Sequence, residues 1–144
     1  MGDCIFCKII AGEIPCYKVY EDDLFLAFLD INPLNLGHTL LVPKQHFNWV
    51  DEVEPYDQYW QIARKLSLAI QKATQSILVS KIVYGLGVSH AHIHLVPKYE
   101  KDDHIGGIHP NNIKKISSAE MTQIAKKINE SLSSQISVLS HDQP

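Results

Sequence analysis

The sequence has little of several features that define large classes of protein. It holds 3 cysteines in 144 residues, and a small, odd number does not build a disulfide framework. No apolar run approaches the roughly 20 residues that a membrane-spanning helix needs. Residues 1–8 do not have the pattern of a signal peptide. We therefore expect a cytoplasmic protein that keeps its thiols reduced and has no membrane partner.

An excess of charge of either sign is also missing. The chain has 13 Lys and Arg against 16 Asp and Glu, which gives a net charge of -3. Such a balance exerts no strong electrostatic attraction on nucleic acid, so we expect no nucleic-acid partner. With 45% hydrophobic residues, the chain is long enough for one globular domain with a substantial core.

The hydrophobic pattern predicts three strands and then a helix in the first half of the chain. Short apolar runs at residues 17–20, 24–29 and 38–42 predict the strands, and the second run is apolar on both faces, so it should be central. The helix is predicted over residues 55–75 by a stripe at spacings of three and four. Its members are Tyr59, Ala63, Leu66, Ile70 and Ala73.

More strand and a second helix follow. Residues 77–88 are rich in β-formers, and Ser117 with Glu120 fits a capping box at the start of a helix. Residues 134–144 are predicted to be a loose polar tail. Because the strands are joined by hairpin-length connections, the order favours a single α+β domain with an antiparallel sheet. We expect residues 1–115 to form its body, and residues 116–144 to add the C-terminal helix and tail.

Three histidines alternate with apolar residues in the segment 89–97. A strand sends successive side chains to opposite faces, so His90, His92 and His94 share one face. Imidazoles titrate near neutral pH, where acid–base and nucleophilic chemistry takes place. This face is therefore predicted to line a functional cleft. The residues between the histidines should pack on the core: Ala91, Ile93 and Leu95.

Cys4 and Cys7 have the spacing of a metal knuckle. Zinc takes four tetrahedral ligands, so two histidines would have to come from elsewhere in the chain. One zinc ion cannot bind both His90 and His94, because these positions on a strand lie about 13 Å apart. Two idle thiols and a redox pair are the alternatives.

Residues 90–96, His-Ala-His-Ile-His-Leu-Val, resemble the signature of the histidine triad (HIT) family. Residues 4–10, 25–33 and 37–46 agree with the family in the same order, so the resemblance covers residues 4–97. It implies an antiparallel five-stranded sheet with two main helices. It also implies a homodimer.

The resemblance implies chemistry at a nucleotidyl phosphorus. The expected substrates are purine nucleotides or dinucleotides, specifically nucleoside phosphoramidates or dinucleoside polyphosphates cleaved at the α-phosphorus. His92 would form a covalent nucleotidyl-histidine that water then hydrolyses. His38 and His94 would donate hydrogen bonds to phosphate oxygens or to the leaving group.

The resemblance also implies the binding residues. Asp30 would accept hydrogen bonds from the ribose hydroxyls. Zinc would take His46 and His90 in addition to Cys4 and Cys7, as a structural ion. The base pocket would be lined by four apolar residues for which core packing is the alternative: Ile5, Phe6, Ile9 and Phe28.

The chain departs from the family pattern just before the histidines. Many members carry Gln there, and a Ser or Gln that touches the leaving group, whereas residues 85–88 read Gly-Leu-Gly-Val. Strand alternation turns Ser89 away from the histidine face. Backbone amides at Gly85 and Gly87 are therefore expected to approach the phosphate, since glycine permits a close approach.

Two other functions remain open at this point. The first is a nucleotide-binding or sensing protein with little turnover, which the missing leaving-group residues favour. The second is a metalloenzyme that binds one metal with His90 and His92. The sequence gives no role to Cys16, His104 or His109.

Overall fold

The structure, a computed structural model, describes residues 3–139. Its five strands are β1 (Lys18–Glu21), β2 (Phe25–Leu29), β3 (Thr39–Pro43), β4 (Leu78–Ile82) and β5 (Ile93–Lys98). They form one antiparallel sheet in the order β1-β2-β3-β5-β4. The predicted α+β fold with a five-stranded antiparallel sheet is confirmed. The strand predicted to be central, β2, is buried along its whole length.

The helices are α1 (Ile5–Ile10), α2 (Tyr56–Thr74) and α3 (Ser118–Leu139), with a 3-10 turn at Val50–Glu52. The main helices α2 and α3 pack on each other and on one face of the sheet. The predicted stripe explains this packing, because Tyr59, Ala63, Leu66 and Ile70 are fully buried. Tyr59 also donates its hydroxyl to the carbonyl of Leu41, 2.7 Å away in β3. No helix in residues 3–139 is long and apolar enough to cross a membrane.

The opposite face of the sheet carries a second, smaller apolar cluster. The short helix α1, which the hydrophobic pattern did not predict, covers it through Phe6. Six residues are too few to display a helical period, so periodicity could not have found this helix. The cluster consists of Phe6, Leu26, Phe28, Leu40 and Val42.

Two strands are shorter than the sequence pattern that indicates them. The run at 77–88 pairs in the sheet only over Leu78–Ile82, because Gly85 and Gly87 adopt positive φ angles of 69° and 86° that strands do not contain. The predicted histidine strand joins the sheet only from Ile93 onward. Before that point the N–H of Ala91 donates instead to the carbonyl of Phe47, 2.8 Å away.

The C-terminal helix begins as predicted and ends later. Ser117 Oγ accepts from the N–H of Glu120 at 3.2 Å, and Glu120 Oε2 accepts from the N–H of Ser117 at 3.3 Å, so the capping box is present. The prediction of a loose tail is wrong for residues 134–139, which continue α3. Ser133 and Ser134 donate their hydroxyls to carbonyls four residues earlier, which satisfies polar groups inside the helix. Residues 140–144 of the predicted tail lie outside the described residues.

Candidate active site and metal centre

The Cys-x2-Cys pair lies at the start of α1. Cys4 is the capping residue of this helix and Cys7 lies in its first turn, and the N–H of Cys7 donates to Sγ of Cys4 at 3.4 Å. Residues three positions apart in a helical turn are neighbours in space. The two sulfur atoms therefore face the same side of the helix.

Two histidines complete a cluster of four potential ligands. His90 Nδ1 lies 3.4 Å from Cys4 Sγ and 3.5 Å from Cys7 Sγ. His46 Nδ1 lies 3.2 Å from Cys7 Sγ and 3.1 Å from His90 Nδ1. Tetrahedral zinc with its usual bond lengths would separate sulfur from nitrogen by about 3.6 Å and nitrogen from nitrogen by about 3.3 Å. The donor set therefore fits zinc.

Hydrogen bonds fix which nitrogen of each histidine is free to bind a metal. Nε2 of His90 donates to the carbonyl of Pro43 at 2.8 Å, and Nε2 of His46 donates to Oδ1 of Asn48 at 3.2 Å. Both acceptors are carbonyl oxygens, so the protons lie on Nε2 and the lone pairs on the two Nδ1 atoms face each other. Burial lowers the pKa of His90, which favours its neutral, ligating form. A cation would satisfy these converging lone pairs.

His92 lies beside this cluster with one ring nitrogen engaged. Its Nδ1 is 2.7 Å from the backbone carbonyl of His90. A carbonyl can only accept, so Nδ1 carries the proton and Nε2 holds a lone pair. The ring packs edge-on against Phe6, with centroids 5.2 Å apart, and lies 5.0 Å from the ring of His94. A neutral imidazole held in this tautomer is suited to nucleophilic attack through Nε2.

His38 and His94 form a hydrogen-bonded pair next to His92. The N–H of Leu34 donates to Nδ1 of His38 at 3.0 Å, so the proton of this ring lies on Nε2. Nε2 of His38 is in turn 3.0 Å from Nδ1 of His94 and donates to it. The proton of His94 must then lie on its own Nε2. The pair therefore offers an N–H donor beside His92.

Burial keeps this pair neutral. The pKa of His38 is lowered to about 3. Loss of hydration on burial is the largest cause, and the electrostatic influence of His94 and His104 adds to it. Burial is also the main reason that the pKa of His94 is lowered to about 4, and the electrostatic influence of His92 adds to it. Both rings are therefore uncharged at neutral pH, and they can donate to a phosphoryl group without carrying a positive charge.

Asp30 follows β2 directly and lies near His38. Its Oδ1 accepts from the N–H of Asn32 at 2.8 Å, and its Oδ2 is 3.7 Å from Nε2 of His38, too far for a hydrogen bond. Burial raises the pKa of Asp30. Ligand atoms of Asp30, His38 and His94 lie within 4.8 Å of one another. These three residues do not form a metal site, because a metal would need a lone pair on Nε2 of His38 and that nitrogen carries the proton.

The four residues predicted to line a base pocket lie in different environments. Phe6 and Phe28 are buried, and their rings meet edge-on with centroids 5.6 Å apart. Ile9 packs at the border of the same apolar cluster, whereas Ile5 is 42% exposed. Both phenylalanines therefore pack on the sheet face, and Ile5 is the most accessible of the four.

The two glycines before the histidines lie in different clefts. Gly85 borders a cleft of about 230 Å³ that reaches His92, and a Cβ atom on Gly85 would lie 3.5 Å from the ring of Trp49. Gly87 borders a neighbouring cleft with Ile5 and His46. Only the first of these glycines therefore lies in the cleft of His92.

Several residues near the site were not predicted. The ring of Tyr84 lies 5.1 Å from that of His94, and Trp49 borders the cleft of His92. His104 is fully buried and hydrogen-bonds to the carbonyl of Leu34. All three lie in loops, where no periodic pattern marks a residue that faces a site.

Comparison with known proteins finds relatives along most of the chain. The model of the HIT domain family matches residues 11–101. Protein hit of Bacillus subtilis is 37% identical over 139 residues, which cover 92% of this chain and 96% of that protein. Adenosine 5'-monophosphoramidase hnt1 of Schizosaccharomyces pombe is 37% identical over 72% of this chain and 80% of its own length. A hypothetical histidine triad nucleotide-binding protein from Sulfolobus tokodaii has a similar crystal structure, with a TM-score of 0.79 and 31% identity, covering 91% of this chain and 93% of that one.

Proposed function

Because the chain belongs to the HIT family, we propose that it is a nucleotide hydrolase or transferase in which His92 is the nucleophile. Its substrates are nucleoside phosphoramidates or dinucleoside polyphosphates, cleaved at the α-phosphorus. One observation carries the proposal: the hydrogen bond from Nδ1 of His92 to the carbonyl of His90, 2.7 Å long, leaves Nε2 free to attack. The activity for which the Schizosaccharomyces pombe monophosphoramidase is named supports the substrate class.

The reaction proceeds in two displacements. Nε2 of His92 forms a bond to the α-phosphorus, the bond to the leaving group breaks, and the leaving group takes a proton from solvent water, to which the attacking water of the second step returns one. Water then attacks the same phosphorus, the bond to Nε2 breaks, and its electron pair returns to the imidazole. In both steps His94 donates from Nε2 to a phosphoryl oxygen, and His38 keeps His94 in the required tautomer.

The nucleoside is held on the sheet face that α1 covers. Phe6 packs against the ring of His92, so a base beside Ile5, Phe6 and Ile9 would place its α-phosphate near Nε2. Asp30 would accept from the ribose hydroxyls through Oδ2, since Oδ1 already accepts from the N–H of Asn32.

Replacement of Asp30 by asparagine should weaken nucleoside monophosphate binding about tenfold or more, because hydrogen bonds to a charged acceptor contribute about 1.5–3 kcal/mol. Asparagine keeps the oxygen that accepts from Asn32, so the melting temperature should change little. Titration calorimetry and thermal unfolding measure the two effects, with the exposed Asp23→Asn variant as a matched control. Unchanged affinity beside a lowered melting temperature would assign Asp30 to loop structure instead.

A nucleotide-binding or sensing protein with little turnover is the second candidate. The observation that favours it is the composition of residues 85–88, where Leu86 is 79% exposed and no side chain can donate to a leaving group. Tight nucleotide binding without turnover of a broad substrate panel would favour this candidate over hydrolysis.

The cluster of Cys4, Cys7, His46 and His90 is proposed to hold one structural zinc ion. Its ligands come from the start of α1, from the loop after β3 and from the segment before β5. An ion there would tie these three parts of the chain together and would fix the backbone on which His92 is carried. No disulfide joins the cysteines of the described residues, which suits a reducing compartment such as the cytoplasm.

We also propose that the protein forms a homodimer through the β4 edge of the sheet. Within residues 3–139, β4 has a hydrogen-bonded neighbour on one side only, and an unpaired strand edge is a site for association. Large apolar side chains are exposed along this edge and on the adjacent helix: Leu68, Ile77, Leu78, Val83 and Tyr84.

A Leu68→Glu, Leu78→Glu double variant should therefore sediment as a monomer at concentrations where the wild-type protein sediments as a dimer. Analytical ultracentrifugation provides the measurement. The Leu24→Glu variant, altered at an exposed position in the turn between β1 and β2, should remain dimeric. A monomeric wild-type protein would contradict the proposal.

A further inference from the structure

The loop of residues 30–37 is bound along its length by the segment of residues 99–114, which we call the clamp. Four consecutive loop residues each form a hydrogen bond with it. The N–H of Lys114 donates to the carbonyl of Pro33 at 2.7 Å, and His104 donates to that of Leu34 at 2.8 Å. The side chain of Asn35 donates to Asp102 at 3.0 Å, and the hydroxyl of Tyr99 donates to the carbonyl of Leu36 at 2.7 Å.

The clamp is itself ordered around the buried carboxylate of Asp102. This carboxylate accepts from the N–H groups of Tyr99 and His104 at 2.8 and 2.9 Å, and it forms an ion pair with Lys98. Burial opposes ionisation of the carboxyl group, but these hydrogen bonds outweigh it and hold the pKa of Asp102 well below its usual range. Beyond residue 101 the clamp also lies outside the match to the family model.

His104 has only one tautomer compatible with its neighbours. The N–H of His109 donates to its Nδ1 at 2.9 Å, so the proton of the neutral ring lies on Nε2 and is donated to the carbonyl of Leu34. Leu34 in turn donates its N–H to Nδ1 of His38, and His38 donates to His94. The carbonyl of Leu34 is therefore held by His104, while its N–H sets the tautomer of His38.

We propose that His104 is a positioning residue for the proposed reaction, and that it keeps the pair of His38 and His94 in the donating tautomer through Leu34. Without the donor of His104, the buried carbonyl of Leu34 has to find another partner, because an unsatisfied buried acceptor is costly. The loop then shifts, and the N–H of Leu34 leaves Nδ1 of His38. The proton of His38 can move to Nδ1, and His94 loses the partner that fixes its own proton on Nε2.

Three variants test this inference, which rests on the proposed function for its kinetic measurement. His104→Phe keeps a ring and loses both hydrogen bonds, His104→Gln keeps an N–H donor toward Leu34, and His109→Ala keeps the backbone N–H that His104 accepts. We expect kcat of His104→Phe to fall about tenfold, less than the hundredfold to thousandfold loss typical of a direct donor. KM should change little, and His104→Gln and His109→Ala should stay near the wild-type kcat.

Nitrogen NMR of the imidazoles provides a second readout that needs no turnover. In the wild-type protein His38 should show its proton on Nε2, and in His104→Phe this signal should be lost or mixed with that of the other tautomer. Wild-type kcat and tautomer signals in folded His104→Phe would overturn the proposal, as would an equal fall of kcat in His109→Ala. If the wild-type protein turns over no substrate, the proposed function fails, and the NMR signals alone decide on His104.

Should His104→Phe fail to fold, His104→Met replaces it as the test. This variant also removes the donor to the carbonyl of Leu34 and keeps a side chain of similar length. A lowered kcat or a disturbed His38 signal would support the proposal, and wild-type values for both would overturn it.

Discussion

Replacement of His92 by alanine should lower turnover of an adenosine phosphoramidate by more than about a thousandfold, as expected when a nucleophile is removed. The fold should persist, because the hydrogen bond that this side chain makes within the described part of the chain is to the carbonyl of its own segment. Steady-state kinetics and circular dichroism measure the two effects. Wild-type turnover in His92→Ala would contradict the assignment.

Rapid acid-free quenching of the wild-type reaction should trap the intermediate. We expect a mass increase of one nucleotide on the peptide that contains His92, stable in base and labile in acid, as befits a phosphorus–nitrogen bond. The adduct should be absent from His92→Ala. His92→Gly should regain part of its activity with added imidazole, because the small base can occupy the vacated space beside Phe6.

Replacement of both Cys4 and Cys7 by serine should remove the metal and lower the melting temperature substantially. In a site of this kind the free energy of metal binding is also free energy of folding. The wild-type protein should hold about one zinc per chain, with two sulfur and two nitrogen ligands in its X-ray absorption spectrum. A chelator should lower the melting temperature of the wild-type protein and leave that of the double variant unchanged.

Cys16→Ser is the matched control for this experiment. Cys16 packs beside the small apolar cluster and does not belong to the group of Cys4, Cys7, His46 and His90. The control should therefore keep both the metal and the response to chelator. Stoichiometric zinc retained in the Cys4→Ser, Cys7→Ser variant would contradict the proposed site.

The site should also depend on pH. Burial is the main reason that the pKa of the Cys7 thiol is raised, and the neighbouring Cys4 adds to it. Zinc binding should therefore release protons, and the affinity for zinc should fall at acid pH.

The sequence predicted those elements of the fold whose burial leaves a regular hydrophobic pattern. Short apolar runs located β1, β2 and β3, and the stripe through Tyr59 and Ile70 located α2, because burial imposes these patterns. The alternation of three histidines with apolar residues correctly separated the core side from the cleft side, since Ala91 lies in the main core and His92 packs against Phe6.

The parts that the sequence did not predict depend on single contacts. The helix α1 is too short to show a period, and the clamp is a polar loop whose order comes from hydrogen bonds to one buried carboxylate. His104 received no role, because nothing in a polar segment distinguishes a buried histidine from an exposed one. Tertiary hydrogen bonds of this kind leave no pattern in the neighbouring residues.

The order of the contacts between loop and clamp has a consequence for the chain during its synthesis. The loop residues 33–36 leave the ribosome long before their partners, and the last partner, Lys114, emerges about 80 residues after Pro33. A nascent chain that ends at residue 101 already contains the whole histidine triad and both ligand pairs of the metal cluster. It lacks Asp102, His104 and Lys114, so the carbonyls of Pro33 and Leu34 are without the donors that hold them in the folded protein. Such a chain could bind metal before it could catalyse.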